Sequence, residues 1–223
     1  MTKTLANLRT EAEYISDQTN GSFISDAEWN IWINGSLAEL YHHCINLDPE
    51  NFVSGTAHSI SLVSGTHTYD LASDNYRVYA VDLLVGSYRY NLQRHTIRER
   101  NKWQDAYVTN TYEQVPVFRW FTPTNDDIQF TPTPSSAYTV EVWYIPSLTE
   151  LSSDSDTTPA ALENHWLKYV TTGAAIQAKI KAEEDYRALA GQKQQILNMI
   201  EQDFASKYLH TSQYAIDISE GSY

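Results

Sequence analysis

The sequence predicts an α+β protein, a helical bundle from N-terminal and C-terminal helices with a central antiparallel β-rich insertion. Two patterns and their joins predict it. Apolar residues recur at helical spacing near both ends of the chain, short β-prone runs alternate with turn residues in the middle, and capping signals mark the changeovers. The 223 residues suffice for one large domain or two small ones whose core needs no disulfide. The expected divisions are 1–56 for N-terminal helices of the helical core, 57–147 for a β-rich lobe, 148–211 for C-terminal helices completing that core, and 212–223 for an extended tail.

Leu5, Leu8, Ala12 and Ile15 share one face of a short first helix, which Asn20-Gly21 breaks. Ser25 then stands as an N-cap with Glu28 three residues later, a capping box, and Ile24 and Trp29 occupy the positions of a hydrophobic staple. Trp29, Ile33, Leu37, Leu40 and Cys44 continue at helical spacing to about Asn46. From Ala57 the period changes. Ser59-Val63, Thr68-Leu71, Tyr76-Val85 and Tyr88-Leu92 read as a meander of antiparallel strands, with Gly86-Ser87 suited to a type II′ hairpin turn. A short surface helix is expected over His95-Trp103. Strands resume at Val117-Phe121, Ile128-Phe130 and Tyr138-Tyr144, with Asn125-Asp126-Asp127 as a turn and Pro123, Pro132 and Pro134 confining the edges.

A polar linker over Ser147-Thr158 leads to Thr158 as an N-cap with Pro159 at the first helical position. The helix that follows should present Leu162, Trp166, Tyr169, Gly173, Ile176 and Ile180 as a packing seam, with Gly173-Ala174-Ala175 as the point of closest approach. A break is expected within Lys181-Tyr186, before a second helix carrying Leu189, Ile196, Ile200, Phe204 and Tyr208. In the tail, Tyr214, Ile216 and Ile218 alternate with polar residues, which suits a strand added to a partner's sheet edge as well as an undirected end.

No motif for covalent chemistry emerges. His42 and His43 are adjacent on a helix and cannot face the same side, and neither has a carboxylate at zincin spacing. Asp126-Asp127, Asp154 and Asp156 lack the twelve-residue calcium pattern and read as turn and linker acids, while Glu183-Glu184-Asp185 reads as a helix-start charge cluster. Cys44 lies on an apolar face and reads as a small buried hydrophobe in a reducing cytoplasm. No cofactor or metal is expected. The first residues lack the apolar core of a signal peptide, no run approaches the ~20 apolar residues of a membrane span, and the glycosylation-like Asn20-Gly21-Ser22 and Asn34-Gly35-Ser36 are read as accidental.

A net charge of −13 argues against clasping a duplex, which requires Lys and Arg to displace counterions. It suits a surface past which nucleic acid slides, and it suits simple solubility. Against that background Arg89, Arg94, Arg98, Arg100 and Lys102 form a basic island interleaved with Tyr88, Tyr90 and Trp103. A structural or subunit-contact role is favoured there over direct DNA contact. Sixteen tyrosines and six tryptophans suit subunit interfaces, and equally a carbohydrate- or receptor-binding face.

Three stretches resemble the head-to-tail adaptor, or connector, proteins of tailed bacteriophages. Phe23 to Asn34 is similar to the family's opening, where a capped helix begins after S-D-x-E and continues to L-x-E-L-Y, here Leu37-Ala38-Glu39-Leu40-Tyr41. Tyr69 to Val78 resembles its L-P-x-D-F/Y strand connection, departing at Ala72 where proline is usual. Ile128 to Pro134, followed by Val140 to Pro146, is similar to its final strands. The resemblance implies a non-enzymatic structural protein of the virion neck, made in the host cytoplasm. It implies a ring, commonly of twelve copies, that joins the portal protein to the tail or neck protein below it and lines part of the DNA channel without binding DNA specifically. Tyr214, Ile216, Ile218 and Tyr223 become candidates for portal contact, and the basic island for contact with a neighbouring subunit or DNA. A carbohydrate- or receptor-binding virion module is the alternative, and a hydrolase with carboxylates about 5 to 9.5 Å apart is the least favoured reading.

Overall fold

A computed structural model of the chain describes residues 2–18, 23–103, 117–163 and 165–213, excepting the side chains of 208–213. It shows an α+β protein whose chain divides into two compact units: residues 1–51 with 148–223, and residues 52–147. No helix among the described residues is long and apolar enough to cross a membrane.

The first unit is helical. Helix α1 spans Leu5–Ser16, α2 Asp26–Leu47, α3 Lys168–Lys181 and α4 Arg187–Gln213. The Ser25 capping box is present in both directions: the Ser25 hydroxyl accepts from the Glu28 N–H, and the Glu28 carboxylate accepts from the Ser25 N–H at 3.0 Å. Ile24 and Trp29 are both buried, as a staple requires, and so are Ile33, Leu37, Leu40 and Cys44.

Helix α3 packs against α1, α2 and α4. Residues Tyr169 through Ala175 are all buried, so no side of this stretch faces solvent. Gly173 permits the closest approach, because a Cβ there would sit 2.4 Å from Ser36 Oγ and 3.1 Å from Ser36 Cβ on α2. The expected seam breaks at its far end: Ile176 is half-buried and Ile180 exposed.

The long helix expected from Pro159 does not form. Its cap is committed elsewhere: Thr158 Oγ1 accepts from the Lys3 N–H at 3.2 Å, and Thr158 N–H donates to the Lys3 carbonyl at 3.0 Å. The described residues there instead make i→i+3 turns, Leu162 N–H to the Pro159 carbonyl and Trp166 N–H to that of Glu163. The segment read as a linker is tied into the fold. Its Asp156 and Asp154 carbonyls accept from Leu5 and Ala6, the first amides of α1, which have no intrahelical partner. The Arg9 guanidinium joins Asp26 at 3.0 Å, Asn30 at 2.9 Å and Asp154 at 2.8 Å, and Asn34 exchanges two 2.9 Å hydrogen bonds with the Leu151 backbone.

The break between α3 and α4 is a left-handed stop. Glu183 has φ 57°, its N–H donates to the Ile180 carbonyl and the Glu184 N–H to that of Lys179, which is a Schellman arrangement. The acidic cluster therefore divides between two helix ends: Glu183 and Glu184 close α3, and Asp185 accepts from the Arg187 N–H at the start of α4. Ile196, Ile200 and Phe204 are buried along α4 and Leu189 is half-buried.

Among the described residues, the second unit holds two four-stranded sheets. The first, ordered β1-β8-β3-β4, comprises His58–Leu62, Tyr138–Pro146, Asn75–Val85 and Tyr88–Asn91. The second, ordered β2-β7-β6-β5, comprises Thr68–Asp70, Asp127–Thr131, Arg119–Phe121 and Gln93–Arg94. Sheet order is thus not chain order, and the expected meander is corrected: β8 inserts between β1 and β3, and β5 runs parallel to β6. Inward residues explain why. Val140 lies opposite both Ile60 and Leu83, and Val142 opposite Val81, giving β8 an apolar row on each side. These residues share one core with Phe118, Trp120, Ile128 and Phe130 of the second-sheet region. The β3–β4 turn has Gly86 at φ 59° and Ser87 at negative φ, as type II′ geometry requires.

Two outcomes follow from these packings. Gly173→Ala should lower stability by about 1–3 kcal/mol in urea unfolding, because overpacking outweighs the ~1 kcal/mol of gained helix propensity. Ser36→Ala in the same chain should recover part of the loss. The second concerns Glu28, whose carboxyl is held at about 2, below the ordinary 4.5, by hydrogen bonds from Lys181 first and then from the Ser25 backbone and hydroxyl. A lowered folded pKa stabilises above the ordinary value and is lost on acidification. The stability difference between the native chain and Glu28→Gln, measured by thermal unfolding, should therefore persist at pH 6 and shrink between pH 4.5 and about pH 2.

Candidate functional site

The basic island is shaped by one residue that changes sheets. Asn91 ends β4, and Leu92 turns into the core, donating its N–H to the Val81 carbonyl at 2.7 Å and accepting from Trp120 Nε1 at 2.9 Å. The chain then enters the second sheet as β5, with Gln93 opposite Arg119 and Arg94 opposite Trp120. His95 follows, buried, its N–H bonded to the Trp120 carbonyl at 2.9 Å and its ring edge-on to Phe121. The expected short helix is present as a 3-10 helix over Ile97–Trp103, without a buried residue.

The five cations separate. Arg89 lies on the first sheet and is neutralised by Glu141 through bonds of 2.9 and 3.2 Å, which hold the Glu141 carboxyl below its usual range. Arg94 sits over the Trp120 ring at 5.6 Å, Arg100 donates to the Ile97 carbonyl, and Lys102 lies 5.4 Å from the centre of Trp103. Arg98 is exposed. Arg119 joins this group, its guanidinium 3.8 Å from the Trp103 ring centre. Sequence reasoning missed Arg119, since only the parallel pairing of β5 with β6 brings it beside Gln93. Arg94, Arg98, Arg100, Lys102 and Arg119 have no carboxylate partner among the described residues, and together make a cationic sheet edge.

Two clefts open at this end of the second sheet. One, of about 400 Å³, is lined by Arg77, Arg94, Trp120 and Asn125; the other, of about 630 Å³, by His67, Arg100, Phe121 and Phe130. Both present cations and aromatic rings, a combination that can receive carboxylates, phosphates or flat apolar groups.

Other candidates resolve into structural roles. Burial pushes the Cys44 thiol to about 12, leaving it protonated and unreactive. His42 is exposed, while His43 Nε2 meets Glu201 at 3.1 Å. Asp156 accepts from the Ser152 and Ser153 amides, which lower its pKa, and Asp127 accepts from the Thr124 hydroxyl. Among the described residues no group of three or more His, Cys, Asp or Glu could hold a metal ion. Tyr214, Ile216, Ile218 and Tyr223 lie outside the described residues.

Comparison with known families decides the class of protein. The profile described as SU10 adaptor protein matches residues 3–214. The chain belongs to that family. No curated protein matches it. The family is one of phage structural adaptors and not of enzymes, which points to a structural component of the virion neck that contacts other head and tail proteins. In this adaptor, both the helical core and the cationic edge lie within the matched span.

Trp120 is the hinge pin of that edge. Trp120→Phe removes the donor to the buried Leu92 carbonyl and should cost at least about 1–3 kcal/mol. Urea unfolding would show it as a lowered midpoint with an unchanged slope.

Proposed function

We propose that the protein forms a ring, commonly of twelve copies, which seats beneath the portal and joins it to the tail, with genomic DNA passing through the centre. The match to the SU10 adaptor family across residues 3–214 carries this reading. The charge agrees with it. At −13 the protein would repel a duplex rather than hold it, so DNA is retained by the closed channel and released without being peeled from cations. In this scheme residues 1–56 and 148–211 supply the helical core of each subunit, residues 57–147 an outward or tail-facing lobe, and residues 212–223 an arm toward the portal. Tyr214, Ile216, Ile218 and Tyr223 are the arm's contact residues, their alternation suited to adding a strand to the portal's surface. The island around Arg89, Arg94, Arg98, Arg100 and Lys102 contacts protein rather than DNA.

The receptor- or sugar-binding alternative has less support. It calls for tyrosines gathered on one exposed face, whereas the exposed ones among the described residues divide between the units: Tyr14 and Tyr186 in the helical unit, Tyr76, Tyr79 and Tyr88 in the β-rich unit.

Co-sedimentation with the portal ring of the same genome tests the proposal. The full chain should bind stoichiometrically and give a complex whose mass fits a ring. The chain lacking Ser212 to Tyr223 should keep its fold by circular dichroism and bind portal more weakly. A full chain that stays monomeric beside intact portal would overturn the adaptor reading, and equal binding by the truncated chain would overturn the role of the arm.

A further inference from the structure

The charge of this chain is segregated. The helical unit carries eight Lys and Arg against nineteen Asp and Glu, a net of −11, while the β-rich unit carries seven against nine, a net of −2. Within the helical unit Lys3, Arg9, Lys179, Lys181 and Lys193 are each already paired with a carboxylate. At the cationic edge of the β-rich unit the reverse holds: Arg94, Arg98, Arg100, Lys102 and Arg119 have no carboxylate among the described residues. One surface has acid to spare and the other has base.

The surplus acid gathers with exposed apolar groups where α1 and α3 end and α2 and α4 begin. Hydrogen bonds locate these termini together: Gln18 Nε2 donates to Glu184 at 3.4 Å, and Lys181 Nζ donates to the Phe23 carbonyl at 2.9 Å and to Glu28 at 2.6 Å. Tyr14, Phe23, Ile180 and Tyr186, one from each terminus, are exposed by 71, 52, 45 and 43%. Single exposed apolar residues are ordinary; here four lie at one end of the helical unit. Glu13, Asp17, Glu183 and Asp185 rim them and form no ion pair among the described residues, although the charge of Arg9 acts on Glu13. Glu13 is held above the usual carboxylate range by burial first and by Asp26 second, against the opposing pull of Arg9.

We infer that this acidic, aromatic end of one copy docks on the cationic sheet edge of a second copy. The inference rests on the ring proposed above and adds to it the two surfaces that meet. The chemistry is complementary: guanidinium groups lie on tyrosine faces and pair with carboxylates, and Trp103, already stacked on Arg119, extends the aromatic contact. The two patches differ, so the contact is heterologous. A heterologous contact repeats head to tail and makes a ring where its rotation closes, whereas a self-complementary patch would stop at a dimer.

Charge reversal on each surface tests it with full-length chains on the portal ring. Glu13→Lys with Asp17→Lys and Glu183→Lys makes the rim net positive, so both surfaces of that subunit are basic; Arg98→Glu with Arg100→Glu and Lys102→Glu makes the edge net negative, so both surfaces of that subunit are acidic. Circular dichroism checks that each folds. Each reversed chain alone should lose self-association by roughly tenfold or more, read as subunit mass by sedimentation. Mixed one to one they should assemble again, because basic and acidic subunits can alternate around an even ring. Recovery on mixing supports the contact, since neither a fold defect nor lost DNA or portal binding would be repaired by a second defective chain. Reversed chains that assemble like the native one, or a mixture that stays dissociated, would overturn this contact while the native ring stands. A native chain that forms no ring would instead overturn the ring reading on which it rests.

Discussion

Helix α3 is the constraint on which the rest of the molecule depends. Seven consecutive residues, Tyr169 to Ala175, have no exposed side, so the helix exists only if other helices surround it. Two of those helices come from the beginning of the chain and one from its end. Residues 52–147 must therefore leave the helical unit and return to it, which is why the β-rich unit is an insertion rather than a second domain in series. Gly173 sets how near α2 can come, since Ser36 occupies the volume a side chain there would need.

The returning chain is secured by polar groups as well as by apolar packing. The segment before α3 caps the orphan amides of α1 from about 150 positions away, and Arg9 holds that segment together with the start of α2. Ser and Asp in this stretch look like solvated linker residues, and some are, yet Asp154 and Asp156 each have a structural task. In the β-rich unit Leu92 has a comparable office. By ending one strand in the first sheet and starting another in the second, it carries Arg94 and the following cations to an edge where no carboxylate among the described residues pairs with them.

The ring proposed above would face an electrostatic conflict that this charge distribution addresses. In such a ring, subunits would have to attract one another strongly while a polyanion moved past them without adhering. Placing nearly all the net negative charge on the helical unit, and leaving a confined cationic edge on the other, satisfies both demands if the edge is covered by protein in the assembled ring. The exposed aromatic residues fit the same account, since they supply contact area without adding charge.

The sequence by itself determined the α+β class, the helices α1 and α2 with the Ser25–Glu28 capping box, the break before α4, the small-residue approach at Gly173 and the hairpin at Gly86. All of these are local: they depend on side chains within a few positions of one another, where periodicity and capping are written directly. The three family-like stretches were legible for the same reason. Tertiary structure alone decided the insertion of β8 between β1 and β3, the parallel pairing that brings Arg119 to the cationic edge, and the loss of a helix at Pro159. Each of these turns on a partner far along the chain: Val140 between Ile60 and Leu83, Gln93 opposite Arg119, and Lys3 taking the Thr158 hydroxyl that would otherwise have capped a helix.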